Sequence, residues 1–304
     1  MKKIIMNDIA KKANVSLTTV SYILNNVKGQ TISADTRYRV QKIAQELGYI
    51  PNLTARSLAS KKSGLIGVMV VKDDSGMGLW KDYLYSRFIN EVERLLAQNG
   101  YHILVTSVDV SNPEFDVIFQ RELEGVFLLD INSEAFYKIS TKFNVPIIIV
   151  DGYLDDAYFH KIVPDFEGAI AEARRLLNNE QSFLIADRVN NYEIKKRIQD
   201  ASHIPEKDII FVSTEDELTD FAKRHQDHKG IIVNEFVGLL ATRYIRPQNT
   251  AVVCTSGYSS FLPPETKKVS FDQRKSAIAV DLMMSYVNGD FPDGENKYSF
   301  IKVM

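Results

Sequence analysis

Residues 8–25 read DIAKKANVSLTTVSYILN, and this stretch decides the fold of the first part of the chain. Ile9 and Ala13 are four positions apart, so both lie on one face of a short helix. Asn14 follows, and asparagine is the residue other than glycine that most readily ends a helix in the left-handed conformation. Ser16 is a strong N-cap for a second helix. Two short helices joined by a three-residue turn predict a helix-turn-helix.

The apolar pattern continues through two further helical segments. The second helix is predicted over Leu17–Asn25, and a third begins at the N-cap Ser33 and ends at Gly48, where a glycine stop is typical. Apolar residues recur in them at spacings of three and four, which predicts one shared core. We expect that core to contain Ile9, Ala13, Val20, Ile23, Leu24, Val40, Ile43 and Leu47.

Charge separates this N-terminal head from the rest of the chain. Residues 1–62 hold 11 Lys and Arg against three acids, a net charge of +8, whereas the remaining residues hold 26 bases and 36 acids. The total of −2 therefore conceals a basic head on an acidic body. Such asymmetry indicates that the head meets nucleic acid or another anionic surface.

The composition excludes several classes of protein. With 45% hydrophobic and 25% charged residues, the chain is typical of globular proteins and not of disordered or fibrous ones. It has no run of roughly 18 apolar residues that would span a bilayer, and its N-terminus lacks the apolar segment of a secretion signal. Cys254 is the single cysteine, which excludes an internal disulfide and a multi-cysteine metal site. We expect a cytoplasmic protein with no cofactor and no metal.

Beyond the head, apolar segments rich in Val and Ile alternate with amphipathic helices. The predicted strands are Leu65–Val71, His102–Val108, Gly125–Asp130, Pro146–Val150, Ser182–Ala186, Asp208–Val212, Gly230–Val233, Thr250–Thr255 and Tyr298–Val303. This alternation favours parallel sheets covered by helices on both faces, arranged as two doubly wound lobes. Ligands of such sheets bind at the carboxyl ends of the strands, so a cleft between the lobes is the expected binding site.

These segments resemble the LacI/GalR (lactose/galactose repressor) family of bacterial transcription regulators. The resemblance covers Asp8–Asn25, Ser33–Arg37, Leu47–Asn52 and Ala55–Leu58, with weaker matches in the body such as Val145–Asp151. It implies an all-α helix-turn-helix head with a hinge helix, followed by a two-lobed α/β core like that of periplasmic sugar-binding proteins.

The resemblance also implies domain boundaries. We expect a helix-turn-helix DNA-binding domain over residues 1–50, a hinge helix and linker over 51–63, and an effector-binding and dimerisation core over 64–304. Within the core, lobe 1 would comprise about 64–164 and 272–290, and lobe 2 about 165–271 and 291–304.

The family pattern places base-reading residues on the second helix at Leu17, Thr18 and Tyr22. Leu17 can offer only apolar contact, for instance to a thymine methyl group, whereas Thr18 can donate or accept a hydrogen bond. Tyr22 stands where an arginine is usual, so the bidentate contact of arginine with guanine is missing. We therefore expect an operator that differs from the common one at that base.

The resemblance further implies phosphate contacts on the flanks of the head. The matching positions are Ser16, Thr19, Ser21, Asn25, Ser33, Thr36 and Asn52. For Ser16 and Ser33 the alternative is a capping role alone. Both roles are compatible, because a capping side chain leaves first-turn amides available to a phosphate.

Residues 52–59 match the family's hinge helix, which forms on DNA and enters the minor groove. Leu58 would wedge between base steps, with Ala55 packed beside it, and such a wedge kinks the duplex. The alternative is that Leu58 is an ordinary linker residue buried on the core.

The effector site is less clearly marked, and its candidates are Asp73, Trp80, Asp151, Asp165, Arg188 and Ser256. Ser256 lies where the family usually has an aspartate pair, and Arg188 lies in a segment spaced differently from the family's arginine. Trp80 could stack on a sugar or pack at an interface. Asp165 could accept from a ligand hydroxyl or cap the helix that begins at Phe166.

The sequence therefore predicts a DNA-binding transcriptional regulator, a repressor and not an enzyme. Its affinity for operator DNA would be set by a small molecule in the cleft, a sugar or sugar phosphate. It would act as a homodimer away from the membrane, and the lack of a heptad extension disfavours a tetramer built on a coiled coil. The alternative is a regulator with a vestigial cleft, independent of an effector or controlled by a protein corepressor.

Overall fold

Two compact units make up the chain, Met1–Ser63 and Gly64–Met304. The computed structural model describes residues 4–24, 29–49, 62–72, 81–109, 122–141, 143–290 and 297–304. Within these ranges, no helix combines the length and the apolar character needed to cross a membrane.

In its described residues the first unit has three helices, α1 (Met6–Ala13), α2 (Leu17–Leu24) and α3 (Ala34–Glu46). Helix α1 begins two residues before Asp8, because the carboxylate of Asp8 accepts a hydrogen bond from the backbone amide of Ile5 at 2.9 Å. The predicted core is confirmed: it buries Ile9, Ala13, Val20, Ile23 and Val40, and Leu24, Ile43 and Leu47 pack against it while partly exposed.

The local signals of the head also have the predicted conformations. Asn14 follows α1 in the left-handed region at φ 51°. The hydroxyl of Ser16 accepts from the amide of Thr19 at 3.0 Å, and that of Ser33 accepts from the amide of Thr36 at 3.2 Å. Gly48 adopts φ 63° after α3, a conformation that favours glycine. These caps satisfy backbone groups that short helices would otherwise leave without partners.

The second unit alternates strands and helices. In chain order its elements are β1 (Leu65–Lys72), α4 (Lys81–Gln98), β2 (His102–Asp109), β3 (Gly125–Leu129), α5 (Ser133–Ser140), β4 (Ile147–Val150), β5 (His160–Pro164), α6 (Phe166–Leu176), β6 (Phe183–Asp187), α7 (Tyr192–Ser202), β7 (Ile209–Val212), α8 (Glu215–Arg224), β8 (Gly230–Val233), α9 (Glu235–Ala241), β9 (Thr250–Cys254), β10 (Lys267–Ser270), α10 (Lys275–Asn288) and β11 (Tyr298–Ile301). Strands β5 and β10 and helices α7 and α10 were not predicted from the sequence.

Two parallel sheets form the two predicted lobes. The first has the strand order β11-β5-β4-β3-β1-β2, and the second has the order β10-β9-β8-β6-β7. Strands β3 and β4 are buried along their whole length, as their continuous apolar sequences predict. The carboxyl ends of the central strands of both sheets line a shared cleft.

The C-terminal strand corrects the predicted lobe boundaries. The sequence places residues 291–304 in lobe 2, but β11 pairs with β5 in the first sheet, with Tyr298 opposite Lys161. The reason is the packing of Tyr298: its hydroxyl donates to the carbonyl of Leu154, and its ring lies 4.6 Å below the ammonium of Lys161. Only the last residues leave this sheet, where Val303 forms a bridge with Phe271.

Candidate functional site

The first candidate site is the outward face of α2. Leu17 is 52% exposed, and Thr18 is also exposed. Tyr22 lies one turn further along and is half-buried, whereas Val20 and Ile23 hold the helix on the core. The side chains of Leu17 and Thr18 take no part in the core of the head, so they are accessible to another molecule. The three predicted base readers therefore share one accessible surface.

The predicted phosphate contacts divide into two similar pairs and several single positions. The hydroxyls of Ser16 and Thr19 are 2.8 Å apart, and those of Ser33 and Thr36 are also 2.8 Å apart. Each pair closes the first turn of a helix, so the capping interpretation is confirmed for Ser16 and Ser33, and the phosphate role stays a prediction. Ser21 is half-buried on α2. Asn25 and Asn52, with the predicted minor-groove residues Ala55 and Leu58, lie outside the described residues.

The second candidate site is the cleft between the lobes of the second unit. It encloses about 570 Å³, counting the space open to solvent, and three aspartates line it: Asp130, Asp151 and Asp187. Each one lies at the carboxyl end of its strand, where ligands of parallel sheets bind. Of the effector candidates, Asp151 and Arg188 line this cleft, and Asp73 and Trp80 lie outside the described residues.

Three lining residues have unusual backbone conformations. Asp130 and Asp151 follow β3 and β4 at φ 57° and 56°, and Asn234 follows β8 at φ 90°. Such conformations are unfavourable for residues other than glycine and concentrate at functional sites. Here they turn the chain immediately after each strand, which brings the polar side chains to the cleft.

Polar contacts already join the two lobes across the cleft. The amide nitrogen of the Asn190 side chain donates to Oδ2 of Asp130 at 3.1 Å. The neighbouring Asn191 is buried and donates to the carbonyls of Ile131 and Tyr153, both at 2.9 Å. These asparagines come from the second lobe, and their partners from the first. Within the first lobe, Lys275 binds the carboxylate of Asp151 at 2.5 Å.

Asp165 and Ser256 do not line this cleft, and for Asp165 the structure has the capping alternative. One carboxylate oxygen of Asp165 accepts from the amide of Gly168 at 3.0 Å, and the other pairs with Lys302 at 2.9 Å. The structure therefore gives Asp165 the capping role. The hydroxyl of Ser256 donates to Glu235 at 2.6 Å and lines a neighbouring cavity. Both side chains use their hydrogen-bonding capacity within the protein.

Glu235 is a residue that the sequence did not identify. Its side chain is fully buried at the start of α9, and its carboxylate accepts from the amides of Thr255, Ser256 and Tyr258. A buried carboxylate is stable when several donors surround it. Glu235 thus sets the shape of the loop after β9, whose first residue, Thr255, lines the cleft. Its only sequence signal is its position in the first turn of a helix.

The neighbouring cavity lies beside this loop and contains a polar connection between helices α4 and α10 of the first lobe. Arg87 of α4 binds Glu91 at 3.1 Å, and Glu91 accepts from the hydroxyl of Ser276 at 2.9 Å. The cavity also holds Cys254, whose thiol has a pKa raised to about 12 by burial, so it stays protonated and unreactive. In the described part of the chain, no three His, Cys, Asp or Glu side chains form a metal-binding group.

Known proteins resemble this chain both in the sequence of the head and in the fold. Residues 5–52 match the model described as bacterial regulatory proteins, lacI family. Catabolite control protein A of Staphylococcus aureus is 29% identical over 171 residues, which cover 54% of this chain and 49% of that protein. The probable HTH-type transcriptional repressor ExuR of Bacillus subtilis is 31% identical over 168 residues, covering 54% and 48%. The chain therefore spans about half the length of the curated relatives it matches.

Solved structures extend the likeness over the whole chain. The lac repressor dimer bound to operator and the anti-inducer ONPF has a TM-score of 0.78 at 19% identity, covering 99% of this chain and 97% of that one. The transcriptional regulator CelR in complex with cellobiose has a TM-score of 0.62 at 18% identity, covering 99% and 98%. The predicted fold, a helical head followed by a two-lobed α/β core, is confirmed.

Proposed function

We propose that this chain, whose residues 5–52 match the model of bacterial regulatory proteins of the lacI family, is a sequence-specific DNA-binding transcriptional regulator, a repressor, that acts in the cytoplasm. It has no catalytic role. One observation carries this proposal: α2 holds Val20 and Ile23 in the core while it presents Leu17, Thr18 and Tyr22 outward. A recognition helix needs this arrangement to place its first turn in the major groove.

The parts of the head have separate roles on the operator. Leu17, Thr18 and Tyr22 contact base edges, and Ser16, Thr19, Ser21, Asn25, Ser33, Thr36 and Asn52 position the backbone through phosphates. Residues 51–63 form the hinge and linker, where Leu58 and Ala55 enter the minor groove. Two copies of the chain bind as a homodimer, since recognition of two half-sites follows the symmetry of the protein.

The two-lobed core, residues 64–304, is the regulatory part. A small molecule, a sugar or sugar phosphate, binds in the cleft near Asp151 and Arg188 and changes the operator affinity. The solved lac repressor and CelR structures, which hold ONPF and cellobiose, support this role by their shared fold. The ligand can shift the equilibrium between two lobe arrangements only if it binds one arrangement more tightly.

A second candidate function is regulation without a small molecule. Asn190 already bonds to Asp130 across the cleft, and Asn191 bonds to the carbonyls of Ile131 and Tyr153. These contacts favour a cleft that stays closed by itself, as in a regulator that is constitutive or controlled by a protein corepressor.

The proposal is tested by selecting duplexes from a random pool with the full chain and measuring their affinity. We expect enrichment of a pseudo-palindromic site, and Thr18→Ala should weaken binding to it by about fivefold or more, the loss of roughly 1 kcal/mol of base contact. Thr242→Ala is the matched control. It removes a hydroxyl in the second unit that donates to the carbonyl of Leu239, and this variant should bind the operator with normal affinity. Failure to enrich any sequence would contradict DNA recognition. Operator affinity that no ligand changes would favour the second candidate.

A further inference from the structure

A tyrosine at the cleft has a hydroxyl for which the described residues provide no hydrogen-bond partner. Tyr85 of α4 is only 4% exposed, and it lines the cleft between the lobes. Its hydroxyl forms no hydrogen bond with any residue that the structure describes. Because Tyr85 lines the cavity, its hydroxyl is available there to a ligand or a water molecule.

A second polar atom at the cleft is also unmatched. Oδ2 of Asp151 is bound by Lys275, but its Oδ1 is buried without a hydrogen-bond partner in the described part of the chain. An ionised carboxylate oxygen can only accept hydrogen bonds, so this atom needs a hydrogen-bond donor. Tyr85 and Asp151 line the same cleft, and a single ligand can meet both.

The charges around these atoms determine what kind of ligand fits. Burial raises the pKa of Tyr85 well above its ordinary value, and the negative charges of Asp130, Asp151 and Asp187 raise it further. The phenol therefore stays protonated, and the negative charges of three carboxylates act on it. Among the described residues that line the cleft, Arg188 is the one formal cation beside these three acids, and Lys275 pairs with Asp151 from outside the lining, so these five groups carry a net charge of −1.

This charge balance opposes an anion. A phosphate group would bring further negative charge close to three carboxylates, and like charges at short range repel strongly where water is excluded. An ammonium group would be attracted by the same field and could donate to the carboxylates. Apolar side chains of Phe166 and Val233 form another part of the lining, which suits the carbon face of a sugar ring.

We infer that the cleft binds an amino sugar, whose ammonium group meets the aspartates and whose hydroxyls meet Tyr85, and that it excludes phosphorylated sugars. The inference rests on the proposed role of the cleft as an effector site. It narrows the chemistry of that effector from sugar or sugar phosphate to a non-phosphorylated sugar carrying an amine.

The test compares matched ligands at constant ionic strength, with thermal stability of the full chain as the readout. The probes are D-glucosamine, D-galactosamine and D-mannosamine, each with its parent hexose and the 6-phosphate of that hexose. We expect at least one amine to raise the melting temperature, because a ligand of the folded state must stabilise it. Its dissociation constant should be roughly tenfold lower than that of the parent hexose, and the phosphate should not stabilise the protein.

Variants with small changes then locate the site. Asp187→Asn removes one charge and keeps the shape of the side chain, and it should weaken the amine at least fivefold while leaving the parent hexose nearly unchanged. Tyr85→Phe removes only the hydroxyl and should weaken both. Asp227→Asn is the control, because Asp227 is an exposed aspartate whose ionic partner is Arg246. It should change neither affinity.

Three results would overturn the inference. They are stabilisation by a phosphorylated sugar equal to or above that by its amine, tighter binding of the parent hexose than of the amine, and no stabilisation by any amine. Operator binding is measured on the same protein without ligand. If it is retained in any of these cases, the proposed function stands and only the ligand class is wrong, and if it is absent, the proposed function itself has failed.

Discussion

Arg87 donates from Nη1 to the backbone carbonyl of Gly257 over 2.8 Å, and this hydrogen bond joins helix α4 of the first lobe to the loop after β9 of the second. The guanidinium also lies 5.7 Å from the ring centre of Tyr258. The same loop begins with Thr255, which lines the cleft. A ligand that moves Thr255 would therefore disturb one of the contacts that hold the lobes together.

Replacing Gly257 tests this connection. Gly257 has φ 82°, and an alanine Cβ there would lie 2.3 Å from Nη1 of Arg87, so the hydrogen bond cannot persist unchanged. We expect Gly257→Ala to lower the free energy of unfolding by about 3 kcal/mol, from backbone strain and the lost charged hydrogen bond together. Urea unfolding of the full chain measures the change.

Gly289→Ala provides the matched control for that change. Gly289 has nearly the same φ of 84°, but nothing lies within 4 Å of the added Cβ. It should lower the free energy of unfolding by about 1 kcal/mol, the backbone strain alone. Equal losses in the two variants would contradict the importance of the Arg87 contact.

Glu235→Gln should destabilise the protein by about 2–3 kcal/mol. The carboxylate accepts from three backbone amides and from the hydroxyl of Ser256, whereas a glutamine places an NH₂ group against those donors. Chemical denaturation measures the loss, and Glu265→Gln, at an exposed position, is the control. Wild-type stability of Glu235→Gln would refute the role assigned to this carboxylate.

Leu58→Ala should weaken operator binding roughly tenfold, about 1.4 kcal/mol, by removing the proposed wedge in the minor groove. Leu53→Ala, in the same segment, is the comparison and should have a smaller effect. Fluorescence anisotropy with labelled operator gives the affinities, and the unfolding of residues 64–304 should be unchanged in both variants. If Leu58→Ala bound the operator with unaltered affinity, the alternative would hold, in which Leu58 is an ordinary linker residue.

Salt should weaken operator binding steeply, because the head carries a net charge of +8 and meets phosphates. Six or more phosphate contacts would reduce affinity by roughly a thousandfold between 50 and 200 mM salt. Lys11→Gln, which removes an exposed lysine of α1, should reduce the slope of log affinity against log salt. A slope near zero would exclude phosphate contact as the main source of affinity.

Stability should fall as pH decreases below about 6.5, in part because of His160. Burial lowers the pKa of His160 from its ordinary value of 6.5, and Lys297 and Lys161 lower it further. The unfolded chain then binds a proton at a higher pH than the folded one, so acid favours unfolding until the folded histidine also becomes protonated. His160→Asn should make unfolding free energies at pH 7.5 and 5.5 more alike, whereas His102→Asn, at an exposed position, should not.

The sequence alone was sufficient for the head because its signals are local. Asn14, Ser16, Ser33 and Gly48 each act on backbone groups within about four residues, and the structure has each cap in the predicted place. The same holds for β3 and β4, whose uninterrupted apolar residues leave few alternatives to a buried strand.

The missed strands lacked such signals. Strand β5 contains Lys161, which is fully buried, and β10 contains Lys267 and Lys268. Neither strand therefore has the continuous apolar sequence that predicts a buried strand. Burial of Lys161 becomes acceptable only because its ammonium donates to the carbonyl of Asp156 and lies over the ring of Tyr298. Tyr298 is more than 130 residues away in the chain, and its strand accordingly belongs to lobe 1.

What the sequence by itself determined is therefore the class of each domain, the caps of the head and the outward face of α2. Only the tertiary structure decided the chemistry of the cleft: it engaged Asp165 and Ser256 within the protein and brought Glu235 to the loop after β9. It also placed the Tyr85 hydroxyl, with no hydrogen-bond partner among the described residues, beside three aspartates. Caps and apolar runs depend on neighbours along the chain, whereas hydrogen bonds and charges in a cleft depend on residues that meet only after both sheets have formed.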